Sequence, residues 1–240
     1  MKQILIIPDV HGRSFWREAV ATGDYQKIVF LGDYVDPYDD EHIADDAVVD
    51  GLTDIIALKQ HNPDKVVLLL GNHDLHYYSE YYNELVCSDR YTPDLVDTLK
   101  DLYTANSHLF QLAYETHLDG RHYLFSHAGV TQSWLNRNID TIKKPDVSHL
   151  NHLLLTNKGI ETLAQVGILR WGEHTTGSIV WADSAELKLS PFRKDTYQIV
   201  GHTMQFYGPI INNKFACLDC QTAFTLNEHG GIKPFDMINI

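Results

Sequence analysis

Asp9-Val10-His11-Gly12, Gly32-Asp33-Tyr34-Val35-Asp36, Gly71-Asn72-His73-Asp74 and Gly201-His202-Thr203 concentrate side chains that can bind metal or move protons. A fifth segment, Ser126-His127-Ala128-Gly129, falls between the last two. Each follows an apolar run and sets Asp, Asn or His at its end. Carboxylate and carbonyl oxygens, combined with imidazole nitrogens, suit hard or borderline divalent cations. One Asp or His after a strand is ordinarily a turn or cap residue, but five such segments in this order point to a two-metal hydrolase. Asp9 and His11 lie two apart, so strand-like alternation aims both the same way and lets them grip one cation. Asp33 ends a neighbouring parallel strand, where it can bridge two cations about 3.5–4 Å apart. Asn72 adds a carbonyl oxygen. His127 and His202 each follow a later strand and can complete the second cation.

The elements that carry these tips alternate at first. Lys2 to Pro8 is a continuous apolar run, as in a strand buried on both faces. Gly12 to Thr22 reads as a short helix, Lys27 to Leu31 as a strand, Ile43 to His61 as a helix stopped by Asn62-Pro63-Asp64, and Lys65 to Leu70 as a third strand. Repeated β-α-β units imply a parallel sheet. Leu75 to Asn106 is expected to be helical and is rich in tyrosine. His108 to Phe125 reads as a hairpin turning at Asp119-Gly120. Val130 to Val166 is mostly helical. Strands are expected at Ile179–Ala182, Tyr197–Val200, Pro209–Ile211, Phe215–Leu218 and Thr222–Leu226, with Asn212-Asn213 as a tight turn. No linker or repeat divides the chain. The expectation for 1–240 is one α/β domain of two stacked mixed sheets flanked by helices, an α/β/β/α sandwich.

Bulk composition narrows the function. The 240 residues hold 44% hydrophobic and 21% charged side chains, which suits a soluble globular protein. No apolar run approaches a membrane span, and the start is too short for a signal peptide, so a cytoplasmic location with no membrane partner is expected. Three cysteines fit a reducing compartment. Cys217 and Cys220 form a C-x-x-C without a second pair or a helix, which reads as structural. The net charge of −13 argues against a nucleic-acid partner.

These segments resemble the calcineurin-like metallophosphoesterases, in particular the branch that holds the serine/threonine phosphoprotein phosphatases and the diadenosine tetraphosphatases. The family's Gly-Asp-x-His-Gly is Pro8 to Gly12 here. Its Gly-Asp-x-x-Asp is Gly32 to Asp36, its Gly-Asn-His-Glu/Asp is Gly71 to Asp74, its His-Gly/Ala-Gly is His127 to Gly129, and its Gly-His-Thr is Gly201 to Thr203. Trp181 and Leu218-Asp219 also resemble late family positions. The resemblance implies that Asp9, His11 and Asp33 hold one metal and that Asp33, Asn72, His127 and His202 hold the other. It implies direct attack on phosphorus by a hydroxide between the metals, with His73 protonating the leaving oxygen and Asp36 holding His73. A carboxylate partner orients an imidazole and favours its charged form. The expected cofactors are two divalent ions, with manganese first and iron, zinc or cobalt also compatible. A phosphomonoester of a protein or small molecule is the expected substrate, and a dinucleoside polyphosphate is the alternative. A nuclease or a non-catalytic metal-binding scaffold is less favoured. Met204, where much of the wider superfamily has a second His, also argues against a nuclease.

Two departures stand out. The phosphatase branch has an arginine directly after Gly-Asp-x-x-Asp, where this chain has Pro37. A second arginine usually follows the late tryptophan, where this chain reads Ala182-Asp183-Ser184. Arginine clamps phosphate with a bidentate fork, so the clamp must be rebuilt or weaker. Arg13, two residues from His11, is the first candidate, with Arg170 and Arg193 behind it. His42, His76 and His229-Gly230-Gly231 read as bystanders. The acidic run from Asp36 to Asp46 reads as a solvated loop. The cluster from Tyr77 to Tyr82 reads as a half-buried helix face that can line the pocket.

Overall fold

Alternate residues of the first three strands face two different apolar layers, which is why their sequences read as unbroken hydrophobic runs. Leu5, Ile7, Ile28, Phe30, Val66 and Leu68 pack into one buried cluster with helical residues such as Trp16, Leu52, Ile55 and Leu99. Ile4, Ile6, Val29, Leu31, Val67 and Leu69 pack into another with Tyr123, Phe125, Tyr197 and Ile199. The second cluster is the seam between two sheets. A third, with Ala128, Leu187, Val200 and Phe215, covers the far face of the second sheet. The order is therefore helix, sheet, sheet, helix.

A computed structural model of the chain describes residues 3–86, 88 and 90–235. Lys2, expected to start the first strand, and Cys87 lie outside the described residues, as do 236–240. The strands are β1 (Gln3–Ile7), β2 (Lys27–Phe30), β3 (Val66–Leu69), β4 (Phe110–Gln111), β5 (Ala113–Leu118), β6 (Arg121–Ser126), β7 (Thr196–Val200), β8 (Ile210–Ile211), β9 (Phe215–Cys217), β10 (Phe224–Asn227) and β11 (Ile232–Pro234). One sheet has the order β11-β10-β1-β2-β3-β4 and the other β5-β6-β7-β9-β8. β1 to β4 run parallel, and β10 and β11 are antiparallel additions. In the second sheet β6, β7 and β9 are parallel, flanked by antiparallel β5 and β8. Both sheets are mixed, as expected. Among the described residues no helix is long and apolar enough to cross a membrane.

The Asp119-Gly120 hairpin forms with both residues at positive φ, 49° and 75°, as a two-residue turn between right-twisted strands prefers. Asn212 closes the β8–β9 turn by accepting from the Lys214 and Phe215 amides at 2.8 and 3.0 Å. His229 lies in the turn between β10 and β11.

Three expectations are corrected. Ile179–Ala182 is a turn, not a strand, closed by the Trp181 and Ala182 amides on the Ser178 carbonyl at 2.9 and 2.8 Å. Ile179, Val180 and Ala182 are buried and Trp181 partly so, and burial alone does not separate a turn from a strand. The first helix begins at Phe15 rather than Gly12, because Gly12 sits at φ 74°, left-handed backbone that cannot start a right-handed helix. The tyrosine-rich stretch is three helices, Asn72–Tyr78, Glu80–Leu85 and Val96–Ala105. Extended backbone at Ser79 and Val86 ends the first two.

Candidate metal centre

Parallel strands deliver their C-terminal ends to one edge, and both sheets use that edge here. Asp9 follows β1, Asp33 follows β2, and Asn72 opens the helix after β3. His127 and His202 follow β6 and β7 in the second sheet. His11, Asp33, Asp36 and His202 all sit at positive φ, between 46° and 63°. Backbone of that kind is costly for side chains with a Cβ and clusters at functional sites.

Asp74 fixes the turns that carry Asp33 and Asn72. Its buried carboxylate accepts from the amides of Gly71, Asp33 and Tyr34 at 2.8, 2.7 and 2.9 Å, and from the Tyr103 hydroxyl at 2.7 Å. Burial, with Asp33 nearby, pushes this carboxyl up to about 7 despite those donors. Gly32, at φ 104°, and Gly71 allow the two turns to touch, since a Cβ on either would collide with the other turn.

The ligand atoms of Asp9, His11 and Asp33 lie within 4.8 Å of one another, and so do those of Asp33, His127 and His202. Asp33 belongs to both groups. The Asp9 carboxylate also accepts from the His202 amide at 2.9 Å, across the two sheets. Asp9, His11, Asp33, Asn72 and His127 are buried, and His202 keeps partial exposure.

The hydrogen bonds around these rings test whether cations fit. His11 Nδ1 donates to the Val35 carbonyl at 2.8 Å and His127 Nδ1 to the Leu31 carbonyl at 2.9 Å. Each neutral ring then turns the lone pair of Nε2 inward, the tautomer a metal ligand needs. His11 Nε2 faces Asp33 Oδ2 at 3.7 Å. His127 Nε2 faces Asp33 Oδ2 at 3.3 Å, Asn72 Oδ1 at 3.1 Å and His202 Nδ1 at 3.1 Å. So many acceptors converging in a buried space demand positive charge, a proton or a metal ion. The donor set of carboxylate, amide oxygen and imidazole suits two divalent ions.

Proton affinities carry the same signature. Burial works against charge on His127, but Asp33 and Asp9 outweigh it and lift the ring to about 9. Burial raises Asp33 too, yet His127, His73 and His11 outweigh it and hold that carboxyl well below its usual range. Asp9 is raised, chiefly by burial and also by Asp33. Burial lowers His11 and His202 well below the ordinary imidazole value. Asp219 is raised to about 8 by burial and by Asp9, with Arg13 offsetting part of the shift.

His73 stands beside this cluster. Its Nδ1 lies 2.8 Å from Asp36 Oδ2, and its ring meets His11 edge-on at 5.2 Å. Asp36 is buried rather than part of a solvated loop, whereas Asp39, Asp40, Asp45 and Asp46 are exposed. The Tyr77 hydroxyl donates to Asp36 Oδ1 at 2.5 Å and accepts from the Thr92 amide at 3.0 Å. Tyr77 is thus buried support for Asp36. The Trp181 indole donates to the Tyr82 hydroxyl at 2.5 Å, and its ring meets His202 at 5.7 Å.

The arginines divide differently from the sequence order of preference. A crevice of about 440 Å³ opens over the cluster, and Arg90 and Arg170 line it together with Tyr38, Trp171 and Trp181. Arg13 approaches from behind, with Nε on Glu41 at 2.7 Å and Nη1 donating to the Asp9 carbonyl at 3.3 Å. Arg170 pairs with Asp183 at 3.2 Å and donates to Thr203 Oγ1 at 2.9 Å. Arg193 lies over Phe192 at 5.2 Å. Sequence reasoning missed Arg90, whose Nη2 lies 2.7 Å from His73 Nε2. The missing arginines near Pro37 and Asp183 left room for a rebuilt or a weaker clamp, and nothing local to Arg90 marks it. His42 and His76 fall outside both ligand groups. His76 Nδ1 instead pairs with Asn83 Oδ1 at 3.0 Å. Cys217 and Cys220 are free thiols, and Cys217 donates to the Gly201 and Thr203 carbonyls at 3.3 Å beneath the His202 turn.

No curated protein matches the sequence. Among solved structures, that of a hypothetical protein from Pyrococcus horikoshii OT3 superposes with a TM-score of 0.50 at 9% identity, covering 98% of this chain and 88% of its own. That likeness concerns the fold alone. Another, described as a novel archaeal phosphodiesterase, covers 97% of this chain and 98% of its own at 11% identity, with a TM-score of 0.36, too loose to carry an argument. A family model described as calcineurin-like phosphoesterase matches residues 2–206, which include every ligand candidate from Asp9 to His202. The chain belongs to the calcineurin-like phosphoesterases.

Proposed function

We propose that the protein is a two-metal phosphomonoesterase that cleaves phosphorylated proteins or small molecules by direct attack of water, without a phosphoenzyme. The observation that carries this reading is the sharing of Asp33 by two ligand groups beside the His73–Asp36 pair at 2.8 Å. Asp9, His11 and Asp33 would hold one divalent ion, and Asp33, Asn72, His127 and His202 the other. When bound, the ions supply Lewis acidity that lowers the pKa of a water molecule and balances charge on the phosphoryl oxygens. Manganese is our choice of activating ion, because mixed oxygen and nitrogen donors accept it.

The chain's own part is orientation and proton delivery. Asp36 holds Nδ1 of His73, so that Nε2 presents to the crevice the proton a leaving oxygen needs. The Tyr77 hydroxyl fixes Asp36 in turn. The test is a substrate panel on chelator-stripped protein reloaded with manganese. Phosphate should be released from p-nitrophenyl phosphate and phosphopeptides, and diadenosine tetraphosphate should stay intact. His73→Asn should lower kcat by about 10²–10⁴-fold on substrates with poor leaving groups. Cleavage of the dinucleotide alone would move the substrate class to dinucleoside polyphosphates. Hydrolysis of no phosphoester would defeat the reading.

A further inference from the structure

Arg90 is placed in the crevice by neighbours rather than by a helix. Tyr91 stacks on Tyr77 at 5.1 Å, and the Thr92 amide donates to the Tyr77 hydroxyl. The backbone on this side of Arg90 is thereby pinned to the residue that supports Asp36. The guanidinium lies over the Tyr38 ring at 3.9 Å, a cation–π contact. Its Nη1 donates to the Asp36 carbonyl at 2.9 Å and its Nη2 to His73 Nε2 at 2.7 Å.

The last contact is informative because a guanidinium has only donors. His73 Nε2 must accept in it, and the ring proton then sits on Nδ1, facing Asp36. One nitrogen cannot both accept from Arg90 and donate to a leaving oxygen, so the contact is a resting arrangement. A phosphoryl dianion reverses the preference. In a guanidinium–phosphate fork both partners are charged and two parallel bonds form, which is stronger than a guanidinium bound to neutral acceptors. The carbonyl and imidazole that now hold Arg90 are the weaker acceptors. Arg13 and Arg170 are less available, since each already faces a carboxylate, Glu41 at 2.7 Å and Asp183 at 3.2 Å.

We propose that Arg90 is the phosphoryl-binding arginine of this crevice, resting on His73 and moving to the oxygens of an anion when one enters. It replaces the arginine absent at Pro37 with one supplied from the segment between helices. The inference rests on the phosphoesterase reading for its substrate, but its test does not depend on turnover.

The zinc-loaded protein is titrated with inorganic phosphate by calorimetry. Arg90→Ala and Arg90→Gln should each bind phosphate about tenfold or more weakly than the parent, with Arg90→Lys between. Arg17→Ala, on an exposed helix face, should match the parent. In steady-state assays with p-nitrophenyl phosphate the same variants should raise KM more than they lower kcat. With ¹⁵N-arginine labelling, the Nε–H resonance lost in Arg90→Lys should shift when phosphate is added to the parent. The proposal is overturned if folded Arg90→Ala and Arg90→Gln keep the parent's phosphate affinity, if that resonance stays still, or if the parent binds no phosphate. Loss of phosphate binding on Arg90 substitution in a protein that hydrolyses no phosphoester would uphold Arg90 and defeat the hydrolase reading. Hydrolysis unaffected by Arg90 would do the reverse.

Discussion

Tyr77 offers a sharp test of how His73 is held, because one oxygen separates it from phenylalanine. Its hydroxyl donates to Asp36 and accepts from the Thr92 amide. Tyr77→Phe leaves the buried Asp36 oxygen and the half-buried Thr92 amide without that partner, at a cost of about 1–3 kcal/mol in thermal or denaturant unfolding. Asp36 would also gain freedom to rotate, and His73 with it. We expect kcat to fall about tenfold to hundredfold while KM stays near the parent value, as measured with alkyl phosphates. An unchanged kcat would mean that Asp36 is fixed without Tyr77. The tyrosine cluster was legible as a half-buried helix face but not as a support for the acid. That role depends on where helix Asn72–Tyr78 lies against the loop after β2, which no local pattern encodes.

The strand-end turns are where the sequence spoke most clearly. A strand buried on both faces must be apolar throughout, so the first polar residue after it marks both its end and the sheet edge. Asp9, Asp33 and Asn72 could be placed this way, and the structure gathers them at one edge with His127 and His202, whose strands also carry polar residues. Other elements were less legible. Ile179–Ala182 has the composition of a strand but packs as a turn, because burial constrains side chains and leaves the backbone to other contacts. Arg90 lies outside any periodic element, so its position follows from tertiary packing alone. Among these turns, Gly71 has the least room. A Cβ there would collide with the Asp33 carboxylate. Gly71→Ala should therefore displace the shared ligand and weaken zinc affinity by about 10–100-fold, measured by competition with a chromogenic chelator. Affinity equal to the parent's would show that the Asp33 turn can shift at no cost.

The two sheets meet at a seam that carries buried charge at one edge, and the stability of the metal-stripped protein should report it. His127 is raised to about 9, so its contribution is present below the unfolded value near 6.5 and is lost as pH rises through 9. Asp219, raised to about 8, resists ionising when folded, so stability also falls as pH climbs from the ordinary carboxylate range to 8. Both act in the same direction between about pH 6.5 and 8, and His127 alone continues the decline to about 9. The lowered values of His11 and His202 act below that window, where the unfolded chain takes up protons first. Melting temperatures of chelator-treated protein should therefore decline from about pH 6.5 to 9, and divalent ions should flatten the decline by replacing the proton on His127. A melting temperature that rises across this window would contradict the assignment. The contact between Asp9 and the His202 amide closes a loop of 193 positions, and this has a consequence for biosynthesis. A nascent chain displays Asp9, His11 and Asp33 early, yet the group of Asp33, His127 and His202 cannot assemble until His202 has left the ribosome. Ion capture by the second group must therefore wait for His202 to emerge, long after Asp9, His11 and Asp33 are exposed.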